Sequence, residues 1–98
     1  MLVKIHTSYR ETIAICDSDL IGKTFQEGEK QVIVSENFFK GDEKTEQEVL
    51  DIIESGSSED CTFNIVGEES TRTALKAGVI KPSGIIRIQG VPVALVLL

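Results

Sequence analysis

The sequence is poor in the residues from which metal sites and catalytic sites are usually built. Its 98 residues include one histidine, His6, and two cysteines, Cys16 and Cys61, with no CxxC pair. A tetrahedral zinc site needs four Cys or His ligands, and the chain has three such residues in all. A lone histidine without a catalytic partner is more often a surface residue than a base. The composition therefore predicts no metal and no cofactor, and the missing nucleophile–base pair argues against an enzyme.

Long hydrophobic runs are also missing. The longest apolar run, from Val91 to Leu98, has eight residues and contains Pro92, whereas a membrane-spanning helix needs about 18 or more. The first residues lead directly into a strand pattern and do not resemble a signal peptide. With only 2 prolines and 8 glycines the chain is not generally disordered. We therefore expect a cytoplasmic protein that does not span the membrane.

Negative charge is concentrated in one segment. The net charge is −6, and residues 36–60 hold nine acidic residues against two lysines, so the rest of the chain is close to neutral. A negative overall field disfavours nonspecific binding to nucleic acid or anionic lipid. It leaves room for a local basic surface, because residues 61–98 carry four basic and two acidic residues.

Hydrophobic periodicity predicts one α+β domain over residues 1–98. A chain of this length forms one core, and no linker divides it. The expected order is β-β-β-α-β-α-β-β, giving a mixed sheet of five or six strands with two main helices. The predicted strands are residues 2–6, 12–16, 30–34, 61–66, 85–88 and 93–98. The first two form a hairpin, and residues 23–29 are expected to be a loop.

Two segments carry clear helix signals, within residues 45–55 and 67–78. Thr45 and Glu48 have the spacing of a capping box, in which each side chain accepts a hydrogen bond from the other's backbone N–H. Gly78 suits the left-handed position that ends a helix. The continuous apolar run 93–98 predicts a strand in the sheet interior, buried on both faces.

The two cysteines lie inside apolar strand patterns, so we expect them to be buried, reduced and inert. A disulfide would require the two strands to be neighbours. Phe38 and Phe39 are adjacent; one at least is expected to fill the core, and the alternative is stacking on nucleic-acid bases.

The best candidate site is the turn at Gly67, where an apolar strand feeds a helix. The first N–H groups of a helix have no intrahelical partner, so they can donate hydrogen bonds to a ligand anion or simply to a capping side chain. If Arg72 and Arg87 converge there, the corner suits one phosphate. The alternative is that Arg72 pairs with Glu68 or Glu69, and Arg87 with the acidic helix. The predicted binding residues are Lys23, Asn64, Gly67, Arg72, Arg87 and Gly90.

Three stretches together resemble an archaeal family catalogued as domain of unknown function 424. They are Leu20-Ile21-Gly22-Lys23-Thr24-Phe25-Gln26-Glu27-Gly28, Asn64-Ile65-Val66-Gly67-Glu68 and Ile86-Arg87-Ile88-Gln89-Gly90-Val91-Pro92. The resemblance covers nearly the whole chain and implies a small stand-alone cytoplasmic protein without an established activity. Members are sometimes labelled RNA-binding. In that family the last motif often continues with His-Ala-Gln, whereas here Val93-Ala94-Leu95 follows Pro92.

These observations favour a binding module, with RNA or a protein–RNA assembly as the expected partner. The alternative is a protein-interaction domain that uses the acidic helix. A contiguous basic stripe in the folded molecule would favour RNA, and an exposed apolar patch would favour a protein partner. The sequence does not predict the oligomeric state.

Overall fold

The computed structural model describes residues 1–57 and 60–97, which form a six-stranded sheet, a two-stranded sheet, three α-helices and two short 3-10 helices (Ser18–Leu20 and Pro82–Gly84). The strands are β1 (Leu2–His6), β2 (Glu11–Cys16), β3 (Thr24–Glu27), β4 (Lys30–Ile33), β5 (Asp42–Glu43), β6 (Cys61–Val66), β7 (Ile86–Ile88) and β8 (Val91–Leu97). The helices are α1 (Glu36–Phe39), α2 (Glu46–Ser57) and α3 (Glu68–Ala77). Strand order in the main sheet is β5-β1-β2-β6-β8-β7, and β3 pairs with β4 separately. The predicted α+β class, with a mixed sheet and two main helices, is confirmed.

One face of the main sheet packs against α2 and α3, and we call it the helix face. Alternate residues of the central strands point there, including Ile13, Phe63 and Ile65, and they pack with residues such as Val49 and Ala74 of the two helices. This alternation follows from the two-residue period of a strand. The helix face therefore carries the larger of the two hydrophobic clusters.

The opposite face packs against α1 and the β3–β4 hairpin, and we call it the hairpin face. Its core consists of Cys16, Val66, Ala14, Val34 and Phe39, with the half-buried Phe25 and Val32 of the hairpin packed against it. Phe39 fills the core as expected, whereas the half-buried Phe38 stacks on His6 with ring centroids 4.7 Å apart. These contacts cover only part of the hairpin face.

The central strand pair β2–β6 is parallel and is joined through the crossover that contains α2. Its register sets Cys16 beside Val66 and Glu11 beside Cys61, so the two cysteines lie at opposite ends of neighbouring strands. Five residues of strand separate these ends by about 16 Å, far beyond the reach of a disulfide. Both cysteines are buried and neither forms a disulfide, as expected.

The prediction for residues 23–34 was partly wrong. The segment predicted as a loop contains β3, and β4 pairs with β3 instead of joining the main sheet. Gly28 has a φ of +62° and lies in the tight turn between them. Because β3 and β4 have only short, mostly polar sequences, their pairing depends on the packing of Phe25 and Val32 against the main sheet. β5, which has two residues, was also missed.

The prediction that the last strand is buried on both faces was wrong. β8 does lie inside the sheet, between β6 and β7. Its residues Pro92, Ala94 and Val96 point to the helix face, whereas Leu95 and Leu97 point to the hairpin face and are 60% and 71% exposed. A continuous apolar run cannot reveal this difference, because its two faces have the same composition.

The two main helices begin and end close to the predicted residues. At the start of α2, Thr45 N–H donates to Glu48 Oε1 (2.9 Å) and Glu48 N–H donates to Thr45 Oγ1 (3.2 Å), which confirms the capping box. Gly78, with a φ of +78°, ends α3 in the left-handed conformation. Within the described residues no helix is both long enough and apolar enough to cross a membrane.

Candidate functional site

The predicted corner forms where β6 ends at Gly67 and α3 begins. Gly67 has a φ of +115°, a region that side chains strongly disfavour. Its N–H donates to Pro92 O (2.9 Å) and its carbonyl accepts from Thr71 N–H (2.9 Å) and Thr71 Oγ1 (2.8 Å). Gly67 thus links the end of β6, the first turn of α3 and the start of β8.

The N–H groups of α3 point to a carboxylate of the protein itself. Asp17 Oδ2 accepts from Glu69 N–H (3.1 Å), and Asp17 Oδ1 accepts from Ser70 N–H (2.8 Å) and Ser70 Oγ (2.7 Å). A Cβ on Gly67 would lie 2.3 Å from the Asp17 carboxyl carbon, so the glycine also makes room for this cap. The sequence left two partners open for these N–H groups, a ligand anion or a capping side chain. The structure contains the capping side chain.

Arg87 lies at the same corner and is also paired within the protein. Its Nη1 donates to Glu68 Oε1 (2.6 Å) and to Gly90 O (2.9 Å). The hydrogen bond that Arg87 donates to Glu68 raises the pKa of Arg87 above its usual value. Both side chains of this ion pair are more than half exposed, so solvent screens it and it contributes little to stability. Arg87 therefore pairs with α3, and not with the acidic helix α2 as the alternative proposed.

Gly67, Arg87 and Gly90 thus come together, whereas the other three predicted residues lie elsewhere. Lys23 is exposed, and its backbone bonds go to Leu20 and Val34, on the segment that leads to the hairpin. Asn64 is half-buried on the hairpin face, two residues before Val66 on β6.

Arg72 is exposed on α3, one turn beyond Gly67. Within residues 1–57 and 60–97 it has no hydrogen-bond or ion-pair partner, so the pair with Glu68 or Glu69 that the alternative proposed does not form there.

The turn between β7 and β8 connects this corner to the β3–β4 hairpin. Gln89, at a φ of +52°, donates its N–H to Glu27 Oε1 (2.8 Å) and accepts from Gln26 N–H through Oε1 (3.3 Å). Lys30 Nζ donates to Arg87 O (3.4 Å). The polar groups of the corner are therefore largely used in contacts that hold the two sheets together.

Cys16 borders the corner and is shielded from reaction. Burial, followed by the negative charge of Asp17, raises the pKa of the Cys16 thiol to about 11. A nucleophilic cysteine needs a lowered pKa and access to solvent. Among the described residues, no group of three or more His, Cys, Asp or Glu side chains could hold a metal ion.

The uncovered half of the hairpin face carries an apolar surface that the sequence analysis missed. Ile86 lies opposite the half-buried Val93, and Leu95 and Leu97 follow on the same face of β8. Ile86, Leu95 and Leu97 are 51%, 60% and 71% exposed, and we call these three residues the aliphatic strip. Asn64 and Thr62 of β6 lie beside the two leucines. No pattern in the sequence separates the strip from the core.

A cleft adjoins β8 on its outer side. It has a volume of about 360 Å³ and is lined by Leu95, Val96 and Leu97 together with the segment Val79–Gly84. A second open cleft, of about 350 Å³, lies at the far end of α2. The second cleft is lined by Ile5, Glu11, Ile13, Asp51, Ile52, Ser55 and Gly56, and it brings no histidine or cysteine to these carboxylates.

The fold and the corner define a class of protein: a small α+β domain whose helix N-terminus is closed by its own aspartate and whose sheet is left half uncovered. The chain belongs to the family described as Protein of unknown function (DUF424), whose profile matches residues 5–98.

A solved structure has the same fold. It is the crystal structure of an uncharacterized conserved protein from Methanopyrus kandleri, which is 25% identical to this chain with a TM-score of 0.81. The match covers 98% of this chain and 90% of the other. No curated protein matches the chain.

Proposed function

We propose that this protein is a binding module whose partner is a protein docking on the aliphatic strip. The observation that carries the proposal is the exposure of Leu95 and Leu97, at 60% and 71%, beside Ile86 on the uncovered sheet face. Single exposed aliphatic residues are ordinary, but a contiguous apolar surface with polar residues around it is typical of a protein-binding site. Partner binding would remove this surface from water.

The closed corner supports a protein partner over a phosphate ligand. Asp17 occupies the N–H groups that would receive a phosphate, and its negative charge opposes a second anion there. Arg87 is already paired with Glu68. An anion would have to displace both carboxylates, so we expect no phosphate binding at Gly67 in the folded protein.

RNA is the second candidate partner, and Arg72 is the observation that favours it. This guanidinium is exposed on α3 and has no partner among the described residues, so it is free to contact a backbone phosphate. Lys76, one turn further on, is already paired with Glu46 of α2 (3.3 Å). Because the chain has a net charge of −6, a contact through Arg72 supports only weak, salt-sensitive binding of RNA.

To test this proposal, the tagged protein and its variants are purified from its own cells, and the molecules that copurify with each are compared. We expect Leu95→Lys combined with Leu97→Lys to lose a protein partner that the wild type retains, also after ribonuclease treatment. Ile5→Lys is the matched control, because Ile5 is 50% exposed but lies on β1 and points to the helix face. Unchanged retention by the double variant would contradict the proposal. Loss of the partner on ribonuclease treatment, or with Arg72→Ala alone, would favour RNA.

A further inference from the structure

Beyond the short strand β7, the outer edge of β8 is open. β7 pairs with Val91, Pro92 and Val93 only. The segment that precedes β7 does not continue the ladder: the N–H groups of Val79, Gly84 and Ile85 donate within their own stretch of chain, to residues 74, 81 and 82. Among the described residues, no strand pairs with this side of Leu95–Leu97.

The register identifies which backbone groups this edge presents. Pro92 O accepts from Gly67 N–H, so the polar groups of residue 92 point to β6. In an antiparallel ladder this direction alternates with every residue. Residues 94 and 96 therefore bond to β6, whereas the N–H and C=O groups of Leu95 and Leu97 point outward. Two donors and two acceptors face the open edge.

The edge is apolar on the hairpin face, whereas the cleft on its other side is lined by Val79 and Ile80 together with Lys81 and Ser83. On the hairpin face the side chains of Leu95 and Leu97 are more than half exposed. On the other side the cleft of about 360 Å³ lies between β8 and the segment Val79–Gly84. Natural sheets protect open edges with charged residues, prolines or bulges. The stretch Leu95–Leu97 contains no charged residue and no proline. An edge of this kind accepts an added strand.

We propose that the strand added at this edge is β8 of a second copy of the chain, paired antiparallel about a two-fold axis at Val96. The inference goes beyond the proposed function: the second copy pairs along the edge of the sheet, whereas the aliphatic strip lies on its hairpin face. Under this symmetry Leu95 of each copy faces Leu97 of the other, and each such pair exchanges two N–H···O=C bonds. The outward N–H and C=O groups of Leu95 and Leu97 in one copy therefore form hydrogen bonds with the same groups in the other copy.

The side chains match under the same symmetry. Residues that face each other across a ladder point to the same side of the sheet, so the four leucines form one continuous apolar row on the hairpin face. Val96 of each copy points to the opposite side, toward the cleft beside the segment Val79–Gly84 of the other copy. Residues 91–97 carry no charge, so two chains of net charge −6 meet at a neutral segment.

The size of the contact predicts a weak, reversible dimer. The strands overlap over three residues on each side, which places the interface well below the roughly 1,200 Å² of stable complexes. We expect the weight-average mass to rise from 10.7 kDa toward twice that value as the protein concentration increases from about 10 µM to about 1 mM. Analytical ultracentrifugation measures this rise.

Amide hydrogen exchange on the wild-type protein tests the register. We expect exchange at Leu95 and Leu97 to slow at least several-fold from the lowest to the highest protein concentration, because their N–H groups enter the new ladder. Val93 is the internal control: it already faces Ile86 of β7, so its exchange should not depend on concentration.

Leu97→Lys tests the contact by charge. Because Leu97 is 71% exposed, the variant should keep the wild-type melting temperature while its dimerisation weakens at least tenfold. Ile33→Lys, at an exposed position of the hairpin (56%), should dimerise like the wild type. A chain that stays monomeric up to about 1 mM, species larger than a dimer, or a dimer that Leu97→Lys leaves unchanged would overturn the inference.

The two proposals fail in different ways. A monomeric wild type that loses another protein on Leu95→Lys and Leu97→Lys would refute the second copy and leave the proposed function standing. A dimer with protected Leu95 and Leu97 supports the inference even where no other protein binds.

Discussion

At the scale of single residues, Asp17 and Gly67 act as a pair. Asp17 follows β2 and caps α3 through the N–H groups of Glu69 and Ser70, which lie 52 and 53 residues further along the sequence. Gly67 adopts a φ of +115° and leaves the space that the carboxylate fills. The cap and the glycine therefore fix how α3 starts relative to the central strands.

This pairing predicts a non-additive result for substitutions. Asp17→Ala should lower the free energy of unfolding by about 1–2 kcal/mol, because it removes the cap of α3. Gly67→Ala should cost about 2 kcal/mol or more, because the residue is strained at its φ and its Cβ meets Asp17. In the double variant the clash is gone, so the total loss should be smaller than the sum of the two.

Urea denaturation of the two single variants and the double variant measures this coupling. Asp17→Asn is the control, because its side-chain oxygen still accepts a hydrogen bond and it should lose less stability than Asp17→Ala. A double variant whose loss equals the sum would show that Gly67 and Asp17 act independently.

At the scale of elements, α2 combines a strong local start with an acidic exposed surface. Its capping box is formed by Thr45 and Glu48, and the hydrogen bonds from Thr45 lower the pKa of Glu48 below its usual value of 4.5. The helix begins where its own residues specify, whereas its position depends on Val49 and Ile53, which pack on the helix face.

The capping box predicts a pH-dependent contribution to stability. A carboxyl group whose pKa is lower in the folded than in the unfolded protein stabilises the fold above its unfolded pKa. This contribution is lost as the pH falls through the lower, folded value. The stability of the wild type should therefore drop more between about pH 6 and pH 3 than that of Glu48→Gln.

Thr45→Ala should remove about 1 kcal/mol at neutral pH, because it removes the N-cap acceptor. Chemical denaturation across the pH range tests both variants. Asp51→Asn, in the middle of the same helix, is the control and should keep the pH dependence that Glu48 causes. Equal slopes for the wild type and Glu48→Gln would contradict this account.

At the scale of the whole molecule, β8 joins the parts of the fold. It pairs with β6 on one side and with β7 on the other, and it contributes to both hydrophobic clusters through Ala94 and Val93. The N–H group of Gly67 also bonds to Pro92 of this strand. Removal of β8 would separate β7 from the sheet and uncover the core beside β6.

We therefore expect deletion of residues 93–98 to abolish cooperative unfolding. Calorimetry should show no sharp transition for the truncated chain, because neither cluster is closed without this strand. The double substitution of Leu95 and Leu97 by lysine is the control: both side chains are exposed, so that variant should melt like the wild type. A sharp transition of the truncated chain at a similar temperature would contradict the central role of β8.

The sequence by itself determined the features that depend on neighbouring residues. The two helices, the Thr45–Glu48 cap and the left-handed Gly78 follow from signals within a few positions, as does the β1–β2 hairpin. Such signals act within one element, so they can be recognised in the sequence without knowledge of the fold. The α+β class follows from the order of these elements.

Only the tertiary structure decided which distant groups meet. The partner of the α3 N-terminus is Asp17 and that of Arg87 is Glu68, and neither choice is visible in local spacing. The exposure of Leu95 and Leu97 likewise depends on how far α1 and the hairpin reach across the sheet. Burial and long-range pairing depend on which surfaces pack together. The residue pattern of one strand does not show which surface packs against it.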